Sequence, residues 1–516
     1  MLSKHVESVL IVGGGPVGML IALELNLFGI KSRIISKHER YSPHSKATIV
    51  WPRILEILDR TGVAEKILSN GHYFDQMNYY SNKKLVGNIR FDNLKYTNYP
   101  FGITVPQWKT EKALEDTLNE QGIYINYNCE FLNGENNNDH IVVEIKGPNG
   151  AVTNESYQWV IGADGFSSKV RECFGFQFDG FSMETRLAIT DAEIVNEVTG
   201  SEVGYYLHKT GNMVLAPIGD GIFRVGASVP KEYNGNIDRE FFDNLLKIRV
   251  PGSKKLGEMK FCGIFNAHVR SASSFKKGRV LLAGDAAHVM SPSGAQGLNS
   301  GFQDAVNLGW KLAGVILGRY NESLLDTYSE ERTNSIKRVS KLSTFLANVS
   351  LYKNRTSIMA RDFSFKIASK VGILDKYFSP LIAQLDTPLG DLKIGRNIIE
   401  PGRRIPIQWG KSRAAPLLGL TQYTIVFWPG ISYSYFEWKK FIDDVKENIS
   451  NFELIDLGGK PLGMLRDFLT EKGMSIIVRP DGYVSNVIHL DSSSYHDSIA
   501  EIESNLSKLN CGVNHE

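Results

Sequence analysis

The stretch SVLIVGGGPVGMLIALELNLFGI, residues 8–30, leaves a chain of this kind the least freedom. Four apolar residues (9–12) run into three consecutive glycines, and a segment of helical periodicity follows at once. Read as strand, turn and helix, it spells G-x-G-x-x-G through Gly13, Gly15 and Gly18. Gly13 permits the tight turn, Gly15 lets backbone approach a pyrophosphate, and Gly18 lets the helix pack on the strand. Pro16 and Val17 lie inside the motif, where the free N–H groups and dipole of a helix start favour an anion. The pattern points to a bound dinucleotide. The plainer alternative is a glycine cluster that only helps a helix pack.

Two later stretches repeat the logic. WVIGADGFSSKVRE (159–172) reads as a strand with Gly162, then Asp164 and Gly165 at its carboxyl end and Arg171 beyond. An Asp there can face a ligand in the crevice or simply shape a β-turn. RVLLAGDAAHVMSPSGAQGLNSGFQDA (279–305) opens as a buried strand, reaches Asp285, and continues as a loop kept low by Gly294, Gly297 and Gly301. A helix begins near Leu298 and aims its positive end at whatever the loop holds. Asp285 can accept hydrogen bonds from a polyol; the alternative is a salt-bridged Asp beside a capped helix.

A chain of 516 residues is too long for one core and calls for two or three domains. Its net charge of +2 argues for neither a nucleic-acid footprint nor a membrane-attracting surface. Cys129, Cys173, Cys262 and Cys511 are too scattered for a zinc site or a disulfide framework, so no metal is expected and a reducing, cytoplasmic location is. The first eight residues carry Lys4, His5 and Glu7 and do not read as a signal peptide, and no apolar run approaches 18 residues, so no membrane span is expected.

The pattern divides the chain into residues 1–175, the first part of a dinucleotide-binding domain; 176–275, a strand-rich insertion; 276–396, the rest of the first domain and long helices; and 397–516, a small α/β unit. The fold class expected is α/β: a Rossmann-like domain with an inserted mixed β-sheet domain and a small C-terminal α/β domain.

The motifs together resemble the group A flavoprotein monooxygenases, the aromatic hydroxylases related to para-hydroxybenzoate and phenol hydroxylase. The resemblance covers roughly residues 6–340 and rests on GGGPVG (13–18), VPQWKTE around Gln107, GADG (162–165), GRVLLAGDAAH (278–288), PSGAQGLNSGFQDAVNLGWKLA (292–313) and YSEER (328–332). The nearest subgroup acts on phenols, polyketides and polycyclic antibiotics and carries a C-terminal thioredoxin-like domain. This resemblance implies non-covalent FAD as cofactor, NADPH or NADH as co-substrate, dioxygen, a small aromatic substrate and a flavin C4a-hydroperoxide as oxygen donor, in a monomer or homodimer. It implies that Gly13, Gly15 and Gly18 shape the pyrophosphate turn and that Lys46 stands where a basic residue meets FAD. It also implies that Gln107 meets the flavin or its ribityl chain and that Asp285 holds the ribityl hydroxyls. Gly297, Leu298 and Asn299 would lie against the pyrimidine edge, and Asp164 and Gly165 would serve FAD and the nicotinamide nucleotide.

The chain departs from the family pattern at two positions. Ser36 occupies the place of the Glu that usually holds the adenosine ribose, so the ribose either goes without a carboxylate acceptor or is held by Lys37 or Glu39 from the next loop. Ala295 replaces one glycine of G-G-Q-G.

No second convincing G-x-G-x-x-G exists, which disfavours reductases with two dinucleotide domains, and the halogenase motif W-x-W-x-I-P is absent. Rival readings are oxygen insertion beside a ketone, antibiotic inactivation and a catalytically silent FAD binder. The substrate wall is expected from the inserted sheet and the segment 73–99, with Tyr79, Tyr80, Phe91, Tyr96, Tyr99, Phe101, Tyr205, Tyr206 and Phe223 mostly core. His288 reads as a structural hydrogen-bonding group, Arg224 and His208 as candidate polar groups of the sheet, and no catalytic base stands out. Without C-x-x-C, the C-terminal unit is expected to pack or pair rather than exchange thiols.

Overall fold

The structure is a computed structural model that describes residues 7–40, 47–137, 139–195, 202–390, 399–405, 421–431, 433–448, 452–458, 469, 471–490 and 499–504. The apolar run that precedes the glycines is Glu7–Val12, at the centre of a parallel sheet. Its neighbours are Val152–Gly162 and then Val280–Leu282 on one side, Ser32–Ser36 and then Ile125–Tyr127 on the other, all parallel. Residues 9–12 are buried throughout, as expected for a central strand covered on both faces. The helices Pro16–Leu27 and Gly297–Ile316 pack on each other so closely that a Cβ on Gly309 would stand 2.6 Å from that of Glu24.

Parallel strands bring their carboxyl ends to one edge. Val12 pairs with Gly162, and Gly162 with Leu282, so the glycine turn, the loop with Asp164 and the loop with Asp285 emerge side by side. Those segments lie about 150 and 270 residues from the first turn in sequence, and sheet register alone unites them.

The second sheet has eight strands, in the order His288–Val289, Lys255–Ala272, Phe178–Val195, Ile222–Pro230, Gly211–Pro217, Val203–His208, Gln76–Ser81, Lys84–Arg90. It is mixed, since Val203–His208 runs parallel to Gln76–Ser81 and the other pairs are antiparallel. It is also larger than the 176–275 insertion read from the sequence. Two strands come from residues 76–90, and one follows Asp285 directly. Residues 51–70 carry two helices, Pro52–Asp59 and Val63–Asn70, separated where Gly62 takes φ +76°.

The C-terminal unit has the sheet order Glu453–Asp456, Thr424–Gly430, Lys472–Val478, Val484–Leu490. The first pair is parallel and joined through the helix Tyr435–Asn448, and the other two pairings are antiparallel, which is the thioredoxin-like arrangement. Cys511 lies outside the described residues. The turn at 479–483 plugs this unit into the first domain. Arg479 forks onto Glu331 at 2.7 and 3.0 Å and onto Asp481, while Asp481 accepts from Trp310 Nε1 at 3.1 Å and Asn307 Nδ2 at 3.2 Å. Lys311, fully buried, reaches Glu331 at 2.9 Å. Burial pulls the Lys311 ammonium down to about 8. Burial would raise the Glu331 carboxyl, but Arg479 and Lys311 outweigh it and hold the group well below the ordinary carboxylate range.

Removing one member of such a cluster strands the others without solvent. Arg479→Ala is therefore expected to destabilise the docked C-terminal unit by about 3–5 kcal/mol, the range for breaking a buried ion pair. Urea unfolding followed by tryptophan fluorescence checks this, because Trp310 stands at the joint. A midpoint indistinguishable from the parent chain would show that the turn is not what holds the unit.

Candidate cofactor and substrate site

A cavity of about 1250 Å³ runs along the carboxyl edge of the parallel sheet and ends against the second sheet. Its first end is built by the glycine turn. Gly13 takes φ +120°, and a Cβ there would lie 2.2 Å from the carbonyl oxygen of Ala163. A Cβ on Gly18 would lie 2.1 Å from the carbonyl oxygen of Gly13. Gly15 is different. Its φ of −83° and ψ of 177° suit any residue, and a Cβ would meet nothing within 4 Å. Its bare backbone faces open cavity, which is the clearance a pyrophosphate needs. Met19 N–H is the first to find a helical acceptor, Gly15 O at 3.0 Å, so the helix presents its unsatisfied N-terminal groups, at Val17 and Gly18 beside Pro16, to that space.

Ser36 ends its strand at the cavity, with Lys37 and Glu39 on the same wall. Its hydroxyl accepts from the N–H of His38 at 3.3 Å. Asp164 also lines the cavity, but one carboxylate oxygen caps the short helix Lys169–Cys173 through the N–H groups of Lys169 (2.7 Å) and Val170 (3.2 Å). Its other oxygen is buried without a hydrogen bond, and burial raises the carboxyl. Gly165 takes φ +82° and lines the cavity beside it.

Asp285 is presented by a short turn. Gly284 takes φ +60°, and the single turn Gly284–Ala286 leaves Asp285 exposed between buried neighbours, its side chain on the cavity wall. What fixes the turn is Asp304, wholly buried in the helix Gly297–Ile316. Its carboxylate accepts from Gly284 N–H at 3.0 Å, His288 Nε2 at 2.6 Å and Arg332 Nε at 2.7 Å. Arg332 in turn donates to Ser300 O at 3.2 Å. Burial would raise the Asp304 carboxyl, but His288 and Arg332 win and lower it. His288 thus has the structural role read from the sequence. Asp304 and Arg332 were not singled out there, though an Asp amid Phe302, Ala305, Val306 and Leu308, all buried, was a signal.

The side chain of Asn299 does not reach the cavity; it accepts from Trp51 N–H at 3.0 Å and donates to Ile49 O and Ala295 O at 2.9 and 2.7 Å, tying the helix start to the strand Ile49–Val50. Gly297 and Leu298 do line the cavity. Gln107 lines it too, yet its amide is engaged by Ala47 N–H at 3.2 Å and by Glu111 at 2.7 Å. Burial pushes that Glu111 carboxyl up to about 7 even though Gln107 donates to it. Lys46 lies outside the described residues.

At the far end the wall combines apolar side chains, Leu187, Ile189, Val214, Ala216 and Met290, with the polar Asn212, Arg224 and Ser228, and Tyr205 is the one member of the expected aromatic set that lines the cavity. Tyr205 stacks on Tyr79 at 5.0 Å and 11°, and burial pushes its phenol up to about 12, so it stays a neutral donor. Arg224 is buried at the junction of the two ends, forked onto Asp191 at 2.5 and 3.0 Å and bonded to Thr48 Oγ1 at 2.6 Å. His208 sits instead on a hairpin with Thr210, away from the cavity.

A glycine turn at a helix start, Asp285 on the wall beyond it, a second helix start and a further chamber against the second sheet share one cavity, the layout of a dinucleotide-binding flavoprotein. Comparison with known proteins agrees: the chain belongs to the FAD binding domain family, whose profile matches residues 7–343. FAD is its cofactor. It is similar to an uncharacterized aromatic compound monooxygenase of Bacillus subtilis (strain 168), 34% identical over 336 residues, 64% of this chain and 66% of that one. It is similar to the 6-methylpretetramide 4-monooxygenase of Streptomyces rimosus, 33% identical over 63% of this chain and 58% of that one. The matches thus span two thirds or less of these relatives' lengths. In fold it is similar to the anhydrotetracycline hydroxylase OxyS from Streptomyces rimosus, with a TM-score of 0.77 at 24% identity over 98% of this chain and 99% of that one. Among the described residues no helix is long and apolar enough to cross a membrane, and no group of three or more His, Cys, Asp or Glu could hold a metal.

The two cavity glycines make a paired test. Gly15→Val places its side chain in open space, so it is expected to fold normally but to purify without flavin. Gly13→Ala meets backbone at 2.2 Å and is expected to lower the melting temperature itself. Visible absorbance of the purified proteins and thermal unfolding by circular dichroism separate the two effects; a yellow, fully loaded Gly15→Val protein would show that the pyrophosphate does not pass this turn.

Proposed function

We propose that the chain is an FAD-dependent, NAD(P)H-consuming monooxygenase that hydroxylates an aromatic small molecule of phenolic or polycyclic type. The observation that carries the reading is the continuity of the cavity from the phosphate cradle, past Asp285 and the helix start at Gly297, into a chamber walled by the second sheet. Bound FAD, once reduced by a nicotinamide nucleotide, supplies the activated oxygen. The protein's share is orientation, charge and exclusion of water. Asp285, on the cavity wall, would accept hydrogen bonds from the polyol chain of the bound cofactor. The helix start at Gly297 and Leu298 lends positive potential to the end of the ring that becomes anionic on reduction. The apolar wall holds a flat substrate and keeps bulk water from the reacting atoms. Arg224, already neutralised by Asp191, brings a fixed positive edge to the junction without leaving an uncompensated charge. The names of the relatives, an aromatic compound monooxygenase and a pretetramide monooxygenase, support the same substrate class.

Asp285→Ala is expected to weaken FAD binding roughly ten- to a hundredfold, since a charge-assisted hydrogen bond contributes about 1.5–3 kcal/mol. Titration of apo-protein with FAD, read by flavin fluorescence, measures it, and unchanged affinity would remove Asp285 from the polyol.

The reaction itself is tested by adding phenols and polycyclic aromatics to the FAD-loaded protein with NADH or NADPH. Nucleotide oxidation is expected to rise with a true substrate and to yield a product one oxygen heavier by mass spectrometry. Oxidation that no aromatic accelerates, with no oxygenated product, would overturn the aromatic hydroxylase reading.

A further inference from the structure

The helix Arg355–Lys370 has no buried residue. Its outer face carries Met359, Phe363, Ile367 and Val371 at four-residue spacing, 61, 68, 46 and 60% exposed. Ile373 and Tyr377 extend the stripe, and Phe345 stands exposed on the preceding helix, Leu324–Ser350. Side chains four apart share one face of a helix, so this is a continuous apolar ridge rather than scattered exposure. The same stretch exposes Lys353, Arg355, Lys366, Lys370 and Lys376. Its two carboxylates are engaged inward: Asp362 with Arg361 at 2.7 Å, and Asp375 with the N–H of Arg90 at 3.0 Å.

We propose that this face docks on an anionic lipid surface. An apolar ridge flanked by lysines and arginines is the pattern of a helix lying in a membrane interface, where apolar side chains enter the acyl boundary and the cations meet phosphate headgroups. The charge pattern favours this occupant over a second copy of the chain. A two-fold pairing would gather ten exposed cations around one seam and offer only two carboxylates per copy, each already engaged within its own chain. The inner face explains what docking accomplishes. Phe365 packs on Tyr79 at 4.8 Å, Tyr79 stacks on Tyr205, and Tyr205 lines the substrate end of the cavity. Ala347 and Leu351, just before the ridge, line the same end. The lipid-facing ridge is therefore separated from the chamber by a thin aromatic layer, on the side from which an apolar aromatic molecule dissolved in the bilayer would arrive. The docking surface itself does not rest on the proposed reaction.

The test is co-sedimentation of the FAD-loaded full chain with vesicles of phosphatidylcholine alone and of phosphatidylcholine with phosphatidylglycerol, together with light scattering in the absence of lipid. The wild type is expected to bind the anionic vesicles and not the neutral ones, and to be released by high salt. The double variants Phe363→Ser with Ile367→Ser, and Lys366→Glu with Lys370→Glu, are expected to lose at least about tenfold in binding, with flavin content and melting temperature unchanged because all four side chains are exposed. A wild type that stays in the supernatant with anionic vesicles would overturn the proposal, as would serine variants that bind as well as the parent. So would a dimer in light scattering that the serine pair splits into monomers, which would assign the ridge to a second copy.

Discussion

The carboxylate of Asp304 is the contact on which the site depends. It sits where three separate parts of the chain converge: the N–H of Gly284 at the end of a sheet strand, the ring of His288 at the start of the second sheet, and the guanidinium of Arg332 from the helix Leu324–Ser350. Asp304 itself belongs to the helix whose first turn faces the cavity. One buried acid thus locks the loop that presents Asp285 to the helix start that lines the same cavity. A buried charge is tolerable only when paired and hydrogen-bonded, and this one is both. A conservative-looking change here would disturb every part of the site at once, although Asp304 touches none of the cavity.

The same helix is held at its middle by a second ionic cluster. Asn307, Trp310 and Lys311 meet Asp481, Arg479 and Glu331, so the C-terminal unit grips the element whose start lines the cavity. That gives a thioredoxin-like domain without a C-x-x-C pair a mechanical purpose. The unit braces the helix at its middle, while Gly297, Leu298 and Gly301 at its start line the cavity. Rigidity of this kind suits a site that must hold bare backbone close to a charged group, because Gly15 and Gly297 have no side chains to restrain them.

Much of the cofactor site was legible along the chain because its parts are local. A strand, a glycine turn and a helix are neighbours in sequence, and the steric reasons for Gly13 and Gly18 hold wherever that unit occurs. Asp285 at the end of an apolar run was legible for the same reason. Asn299 and Gln107 read differently because their amides have two competing kinds of partner. Asn299 meets Trp51 and Ile49, roughly 250 residues away, and no local pattern announces that contact. The rings of the segment 73–99 were expected to be mostly core, and that segment supplies strands of the second sheet, with Tyr79 lying behind Tyr205 rather than on the cavity.

The sequence by itself determined the class of fold and the kind of ligand. Period-two and period-3.6 apolar patterns set strands and helices, and glycines at fixed offsets are demanded by backbone clearance alone. The tertiary structure decided which side chains the cavity receives. Register in the parallel sheet brings Gly13, Asp164 and Asp285 to one edge, and the eight-stranded sheet takes strands from three distant segments to close the far end. Those pairings are non-local, and a strand's neighbours are selected by burial across the whole fold rather than by its own residues. The partners of Asp304, the brace on Trp310 and the exposed ridge at 359–371 arise the same way: each is a relation between elements, and appears only when the elements are packed.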